Sequence, residues 1–287
     1  MKIFILSLPR SGSTALQRNL SQILKINTRP ETWLAPFLSN FEPTSLDIHE
    51  TGGHNLKYIA KNTKDFDAKR TQLIRFAFEL WHESSCFIEK TPRNYFYLNM
   101  IQQAFPDAYY IVLTRDPINQ LQSCVQTFKS NRLKLNTFKN DYKHGAQILD
   151  QFLIDTNCKA IHVTFEELEV DKLATVNNIL NFLGQEEITT LPTRLNKLEG
   201  GLGDPMQSDN INHISPTKKM SLFRYLVFCG IKRGMPDLYH GRAATPVELC
   251  FNPKQNLLDM ANLCMSTVDG IVRKPMKNFL YGKKKYY

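Results

Sequence analysis

Short apolar runs alternate with stretches of helical periodicity along the first two thirds of the chain. Nearly continuous apolar runs predict buried strands at the start of the chain and at 86–88, 109–114 and 160–164. Apolar residues at helical spacing predict helices at 13–26, 67–83, 94–105, 117–129, 139–156 and 171–184. Apolar strands that alternate with helices predict a three-layer α/β fold, in which a parallel sheet carries helices on both faces.

Irregular structure is predicted where Pro, Gly, Thr and Asn are frequent, at 27–53 and 185–245. The apolar stretch 222–229 is short and interrupted by Arg224, which indicates one buried element within the second of these regions. A last helix is expected at about 254–271.

Length and composition favour one large domain. The chain has 287 residues, of which 42% are hydrophobic, and it can therefore bury a substantial core. We expect a single domain over 1–287, with a compact core over 1–184 and a loop-rich remainder over 185–287 that includes the last helix. No apolar run approaches the ~20 residues of a membrane span, and no signal-peptide pattern is present. A cytoplasmic protein without a membrane span is therefore expected.

The net charge of +9 favours an anionic partner. The chain carries no RNA-recognition, zinc-finger or OB-fold signature, so nucleic acid is not the expected partner. The six cysteines form no C-x-x-C pair, and neither a metal site nor a disulfide framework is predicted.

Residues 7–14 follow the first predicted strand and partly match the phosphate-binding pattern G-x-x-x-x-G-K-[ST]. Ser7 and Gly12 take the two glycine positions, Ser13 replaces the lysine, and Thr14 fits. Such a loop presents successive backbone N–H groups at the positive end of the next helix. The pattern therefore predicts a site for a phosphate or sulfate group.

The missing lysine bears on the chemistry. P-loop triphosphatases use that lysine and a metal-holding Asp after a second apolar strand, whereas here the strand 109–114 is followed by Arg115. Arg10, Lys90 and Arg115 all follow predicted strand ends, and parallel sheets bind ligands at that edge. We therefore expect three positive side chains at one edge, binding a phosphorylated nucleotide without a metal.

Two motifs resemble those of sulfotransferases that use 3′-phosphoadenosine 5′-phosphosulfate (PAPS). Residues 8–14 resemble the 5′-phosphosulfate loop of that family, and residues 112–117 with Ser123 resemble its 3′-phosphate motif. Residues 164–168 and 181–184 are similar to the family's later strand–helix segment. The resemblance implies the P-loop NTPase-like sulfotransferase fold.

The resemblance covers about residues 1–184 and implies that this core binds PAPS without a metal, with adenosine 3′,5′-bisphosphate as the product. In this family an arginine and a serine hold the 3′-phosphate, which implies Arg115 and Ser123. The 5′-phosphosulfate would be held by consecutive loop residues: Arg10, Ser11, Gly12, Ser13 and Thr14.

Two further segments resemble those of tyrosylprotein and bacterial-type sulfotransferases. Residues 30–33 are similar to a Glu-Thr segment of those enzymes, which implies Glu31 as the catalytic base. Residues 89–92 are similar to a segment whose lysine stabilises the transition state, which implies this role for Lys90. Arg10 would assist by meeting the negative charge that develops during transfer.

The chain departs from the family pattern in two places. Cytosolic sulfotransferases carry a catalytic His after a Lys-Thr pair, where this chain has Pro92. An Arg-Lys-Gly segment used on the 3′-phosphate is not evident near 200–205. His49 and His54 remain alternatives to a glutamate as the base.

The implied reaction is in-line transfer of the sulfuryl group to a hydroxyl or amine of an acceptor. Acceptor specificity would lie in 27–66 and 185–245, and the acceptor could be a carbohydrate, a lipid or a small alcohol. Two other functions stay open from the sequence. One is a P-loop kinase of nucleotides or small molecules, and the other is a non-enzymatic binder of nucleotides or polyanions.

Overall fold

The computed structural model describes residues 1–39, 59–128, 132–155, 157–198, 218–240, 247–250 and 252–268. The described residues form two compact units. The first lies within Met1–Thr114 and Ile148–His213, and the second lies within Arg115–Gln147 and Ile214–Tyr287.

Each helix predicted from periodicity is found, with its ends shifted by a few residues. Shorter turns precede two of the helices, a 3-10 turn at Asn94–Tyr97 and a π turn at Asp141–Gly145. The main α-helices of the described residues are α1 (Ser13–Leu24), α2 (Leu34–Leu38), α3 (Phe66–His82), α4 (Leu98–Ala104), α5 (Pro117–Phe128), α6 (Ala146–Asp155), α7 (Phe165–Val170), α8 (Lys172–Phe182), α9 (Leu222–Arg233) and α10 (Pro253–Val268).

A five-stranded parallel sheet forms the centre of the first unit, which confirms the predicted fold class. Its strands stand side by side in the order β2-β3-β1-β4-β5. Since β1 is the middle strand, the loop that follows it lies at the middle of the carboxyl edge. The strands are β1 (Lys2–Leu6), β2 (Asn27–Thr28), β3 (Phe87–Glu89), β4 (Tyr109–Thr114) and β5 (Lys159–Thr164).

Alternate residues of β1 point to opposite faces of the sheet, and both faces are buried. Ile3 and Ile5 pack in an aliphatic cluster with residues of α1 and α8, among them Leu16, Leu20, Val176, Ile179 and Leu180. Phe4 points the other way, and its ring lies within 6 Å of four other rings, those of Phe78, Phe87, Phe105 and Tyr110. Burial on both sides explains why the strands are apolar without alternation.

The prediction of irregular structure at 27–53 was wrong for two short elements, β2 and α2. A strand of two residues is too short to show a period, and it exists because Asn27 and Thr28 pair with β3. Helix α2 has five residues, fewer than two turns of a periodic pattern. Residues 40–58 lie outside the described part of the chain.

The second unit contains regular structure within the region that was predicted to be loop-rich. Helix α9 occupies the apolar stretch that was expected to be buried, and β6 (Lys218–Ser221) pairs in parallel with β7 (Val247–Cys250). Arg224 does not interrupt this element, because its guanidinium binds the buried carboxylate of Asp259 on α10, with Nη2 to Oδ1 at 2.6 Å and Nε to Oδ2 at 3.1 Å. The irregular prediction was therefore wrong for 218–221, and the element expected at 222–229 is the first part of α9.

Helix ends follow the predicted signals. Oδ1 of Asp116 accepts the N–H groups of Ile118 and Asn119, which confirms the cap at the start of α5. Oδ1 of Asp171 accepts the N–H of Ala174 at the start of α8. Gly184 follows α8 with φ of 68°, the left-handed conformation that ends many helices.

None of the helices within the described ranges has both the length and the apolar composition that crossing a bilayer requires.

Candidate active site

The loop after β1 is a tight turn that leads directly into α1. Arg10 and Gly12 both have positive φ, 67° and 90°, and the hydroxyl of Ser11 donates to the carbonyl oxygen of Leu8 at 2.8 Å. The N–H groups of the next turn bond back to Gly12, as Ala15 N does at 3.1 Å. The positive end of α1 therefore opens at the carboxyl edge of the sheet, next to the half-buried Arg10.

Gly12 is required by close packing as well as by its backbone angle. A Cβ at this position would lie 2.4 Å from Cδ2 of Phe165, the first residue of α7. Phe165 is itself held by a capping box, in which the side chains of Thr164 and Glu167 bond to each other's backbone N–H groups. The segment 164–168 thus supports the loop, a role that was not predicted, because the contact joins residues far apart in the sequence.

Glu31 and Lys90 are brought together at the ends of two adjacent strands. Lys90 follows β3 directly, and Glu31 lies three residues after β2. Nζ of Lys90 is 3.2 Å from Oε1 of Glu31. The Lys90 side chain is 2% exposed and that of Glu31 is 17% exposed, so the glutamate is the more accessible member of the pair.

Helix α1 also holds the segment that carries Glu31. Nε2 of Gln17, on the second turn of α1, donates to Oγ1 of Thr28 at 2.6 Å and to the carbonyl oxygen of Arg29 at 2.7 Å. Thr28 in turn donates to the carbonyl oxygen of Ile88 in β3. The helix that begins at the anion loop therefore fixes the position of the residues just before Glu31.

Glu89 is a fully buried carboxylate that the sequence did not single out. It ends β3 next to Lys90, but it faces away from that residue and accepts hydrogen bonds from Thr91 and His82, at 2.6 and 3.0 Å. Thr91 also accepts the N–H of Thr32, at 2.9 Å, and so ties the residue after Glu31 to the end of β3. The sequence feature that could have identified Glu89 is a charged residue at the end of an apolar strand.

Arg115 and Ser123 belong to the second unit. Arg115 directly follows β4 in the chain and is 8% exposed. Ser123 lies almost two turns into α5 and is half-buried, after a helix start fixed by Asp116. The carboxylate of Asp116 also pairs with Lys232 of α9. Of the expected 3′-phosphate pair, Ser123 thus lies on a capped helix and Arg115 lies two residues before its start.

The remaining candidates lie elsewhere. His49, His54 and residues 200–205 are outside the described part of the chain. Among the residues with described positions, no group of three His, Cys, Asp or Glu side chains is arranged to hold a metal ion.

Comparison with known proteins identifies the family. Residues 2–189 match the sequence model of the sulfotransferase family, about two thirds of the chain. Nodulation protein NoeE of Sinorhizobium fredii is 31% identical over 121 residues, which are 40% of this chain and 28% of NoeE. The chain therefore matches less than a third of the length of that relative.

Solved structures of two other proteins are similar at a lower level. The sulfotransferase domain from the curacin biosynthetic pathway has a TM-score of 0.45 at 20% identity, covering 65% of this chain and 75% of that domain. A sulfotransferase from Alicyclobacillus acidocaldarius has a TM-score of 0.45 at 18% identity, covering 84% of this chain and 96% of that protein. These likenesses are too distant to assign a function, but the family model covers more than half of the chain. The chain belongs to the sulfotransferase family.

Proposed function

We propose that this protein transfers the sulfuryl group of PAPS to a hydroxyl or amine acceptor by in-line displacement. The observation that carries the proposal is the pair formed by Glu31 and Lys90 at the carboxyl edge of the sheet, 3.2 Å apart. The loop that ends in Gly12 opens at the same edge, because β1 and β3 are adjacent parallel strands. A base, a buried cation and an anion-binding loop are the groups that such a transfer needs.

The donor would be held at both of its charged ends. Arg10, Ser13, Thr14 and the backbone N–H groups of the loop suit the 5′-phosphosulfate, because they combine positive charge with hydrogen-bond donors. The hydroxyl of Ser11 donates to Leu8, so Ser11 would contribute through its backbone. The Arg115 guanidinium and the Ser123 hydroxyl would hold the 3′-phosphate. Nothing in this set of donors calls for a metal.

The reaction would proceed in one displacement. The Glu31 carboxylate takes the proton of the acceptor, whose oxygen or nitrogen forms a bond to sulfur. The bond from sulfur to the 5′-phosphate oxygen breaks, and the electron pair leaves with adenosine 3′,5′-bisphosphate. Lys90 and Arg10 stabilise the negative charge that grows on that oxygen, and one such fixed donor is commonly worth about 100- to 1,000-fold in rate.

Family membership supports sulfuryl transfer over the kinase and over the non-enzymatic binder. The acceptor class is open, and we infer a carbohydrate, a lipid or a small alcohol. The single-domain organisation and the cytoplasmic location stay predictions.

The test measures donor selectivity and turnover together. Calorimetric titration with adenosine 3′,5′-bisphosphate and with 5′-AMP should show tighter binding of the bisphosphate by at least about 30-fold, since only it has a 3′-phosphate. Radiolabelled PAPS, supplied with 2-naphthol, methyl glucoside and decanol, should lose its sulfuryl group to an acceptor without added magnesium. Equal affinity for both nucleotides, or turnover of ATP that needs magnesium, would overturn the proposal.

A further inference from the structure

The carboxylate of Glu89 is buried at the end of β3, and both of its oxygens form hydrogen bonds. Its Oε1 accepts hydrogen bonds from Thr91 Oγ1 at 2.6 Å, Thr32 Oγ1 at 3.0 Å and Asn94 Nδ2 at 3.1 Å. Its Oε2 lies 3.0 Å from Nε2 of His82, which is also fully buried. A buried carboxylate with this many donors has its desolvation offset by hydrogen bonds, and it fixes the groups that donate to it.

The hydroxyl protons of Thr91 and Thr32 both point to Glu89. Oγ1 of Thr91 accepts the backbone N–H groups of Thr32 and Trp33, at 2.9 and 3.3 Å, so its own proton is directed to Glu89. Oγ1 of Thr32 accepts the N–H of Leu34 at 3.3 Å, and its proton is likewise directed to Glu89. The Oε1 atom of Glu89 accepts both hydroxyls, as an oxygen with two lone pairs can.

This network connects the two segments that carry the proposed catalytic groups. Thr32 is the chain neighbour of Glu31, and Glu89 and Thr91 are the chain neighbours of Lys90. Trp33 has φ of 53°, so the backbone turns sharply directly after Thr32 and is held in that turn by the bond to Thr91. The carboxylate of Glu31 makes its hydrogen bond to Lys90 and none to Glu89, so the network acts on Glu31 through the backbone of its segment.

We propose that Glu89 and Thr91 are positioning residues, which fix Glu31 against Lys90 through the backbone of residues 32 and 33. This inference rests on the proposed function, since it assigns Glu31 and Lys90 their roles in sulfuryl transfer. His82 completes the network from the opposite side. Its Nδ1 makes no hydrogen bond within the described residues, and its ring stacks on Phe87 at 4.5 Å, so Nε2 serves Glu89 alone.

The experiment compares Thr91→Val with Thr91→Ser. Valine has the shape of threonine but cannot bridge Glu89 to the backbone of Thr32, whereas serine keeps the hydroxyl. In PAPS turnover with the acceptor panel, T91V should lower kcat by about 10- to 100-fold, because small displacements of a catalytic group are costly. The affinity for adenosine 3′,5′-bisphosphate should not change, and T91S should restore turnover.

A double variant tests whether the effect passes through Glu31. If Thr91 acts by positioning the base, T91V should cost less than about 3-fold in a Glu31→Gln background, since the base has already been removed. A full additional loss there would overturn the inference. If T91V does not fold, Thr32→Val and Thr32→Ser offer the same comparison from the other side of Glu89.

The position of the segment can be measured without an acceptor. The chain has two tryptophans, and Trp81 is 49% exposed on α3, so Trp81→Phe leaves Trp33 as the only indole emitter. In that background T91V should make Trp33 at least about twice as accessible to acrylamide quenching, and T91S should not. Unchanged quenching in T91V would overturn the inference.

The outcomes separate the two proposals. If the parent protein turns over PAPS and T91V matches T91S, the positioning role is wrong and the proposed function stands. If the parent protein shows no PAPS-dependent transfer, the proposed function is wrong, and the catalytic role of the network is lost with it.

Discussion

Glu31 and Lys90 form an ion pair, 3.2 Å between Oε1 and Nζ, at the ends of the adjacent strands β2 and β3. Their burial is unequal, with the lysine side chain 2% exposed and the glutamate side chain 17% exposed. The lysine side chain is therefore almost fully enclosed by protein, and the glutamate side chain is the member that is open to solvent, as the proposed base has to be. Each prediction about this edge of the sheet follows from that asymmetry or from the loop beside it.

Glu31→Gln should lower turnover by at least about 100-fold, because glutamine keeps the size of the side chain but cannot take a proton. Affinity for adenosine 3′,5′-bisphosphate should survive, because the residue binds no phosphate. Steady-state rates and calorimetry measure the two quantities. Glu186→Gln, which changes an exposed carboxylate, is the control and should have normal rates. Near-normal turnover in E31Q would remove Glu31 from the role of base and direct attention to His49 and His54.

Gly12→Ala should destabilise the first unit by about 2–4 kcal/mol. The reason is that φ is 90° at this position and that the added Cβ would lie 2.4 Å from the ring of Phe165. Urea unfolding measures the loss. Gly184→Ala is a matched control, since φ there is 68° but nothing lies within 4 Å of the added Cβ. Gly184→Ala should lower the free energy of unfolding by about 1 kcal/mol, the cost of the left-handed backbone alone.

The double variant G12A/F165A separates the two causes in Gly12→Ala. Removing the ring of Phe165 should recover most of the steric cost, so that the double variant is more stable than the sum of the single changes predicts. Strict additivity would show that the ring is not what excludes a side chain at Gly12.

Arg115→Ala should weaken binding of adenosine 3′,5′-bisphosphate by about 2 kcal/mol, or about 30-fold, because a charged partner of the 3′-phosphate is lost. Binding of 5′-AMP, which has no 3′-phosphate, should change little. Arg132→Ala, at an exposed arginine of the same unit, controls for the loss of one positive charge. An equal loss for both nucleotides in R115A would contradict the placement of the 3′-phosphate.

Asp259→Asn should destabilise the second unit by about 3–5 kcal/mol, since it leaves the guanidinium of Arg224 buried without its counter-charge. The Arg224 and Asp259 side chains are 3% and 0% exposed, so water cannot replace the lost partner. Thermal unfolding followed by circular dichroism measures the change. Replacing both residues by Met and Leu should recover much of the stability, and no recovery would indicate that the pair is worth more than its desolvation cost.

Local signals in the sequence were sufficient for four of the five strands of the sheet and for the loop. Apolar runs marked the strands because both faces of the sheet are buried, and Asp116, Asp171 and Gly184 marked helix ends through bonds and angles that involve near neighbours. The convergence of residues after β1 and β3 followed from parallel pairing alone. The closeness of Glu31 to Lys90 was implied only by family resemblance, since β2 is too short to predict.

Contacts between distant residues could not be predicted in the same way. The helix α9 was partly concealed by Arg224, whose partner Asp259 lies 35 positions away. The contact of Phe165 with Gly12 and the hydrogen bond that Thr32 donates to Glu89 likewise join segments that no local pattern relates. In each case the sequence shows a residue type that is unusual for its surroundings, and only the fold shows what it binds.

Through Gln17, α1 joins the loop that is proposed to bind the nucleotide to the segment that carries the proposed base. The first turn of this helix begins at the loop for the nucleotide, and its second turn holds Thr28 and Arg29, just ahead of Glu31. A substitution that slides α1 along its axis would therefore alter affinity for the nucleotide and proton removal from the acceptor in the same step. If the proposed function is right, a change of acceptor preference would have to leave α1 in place and alter the segments around it.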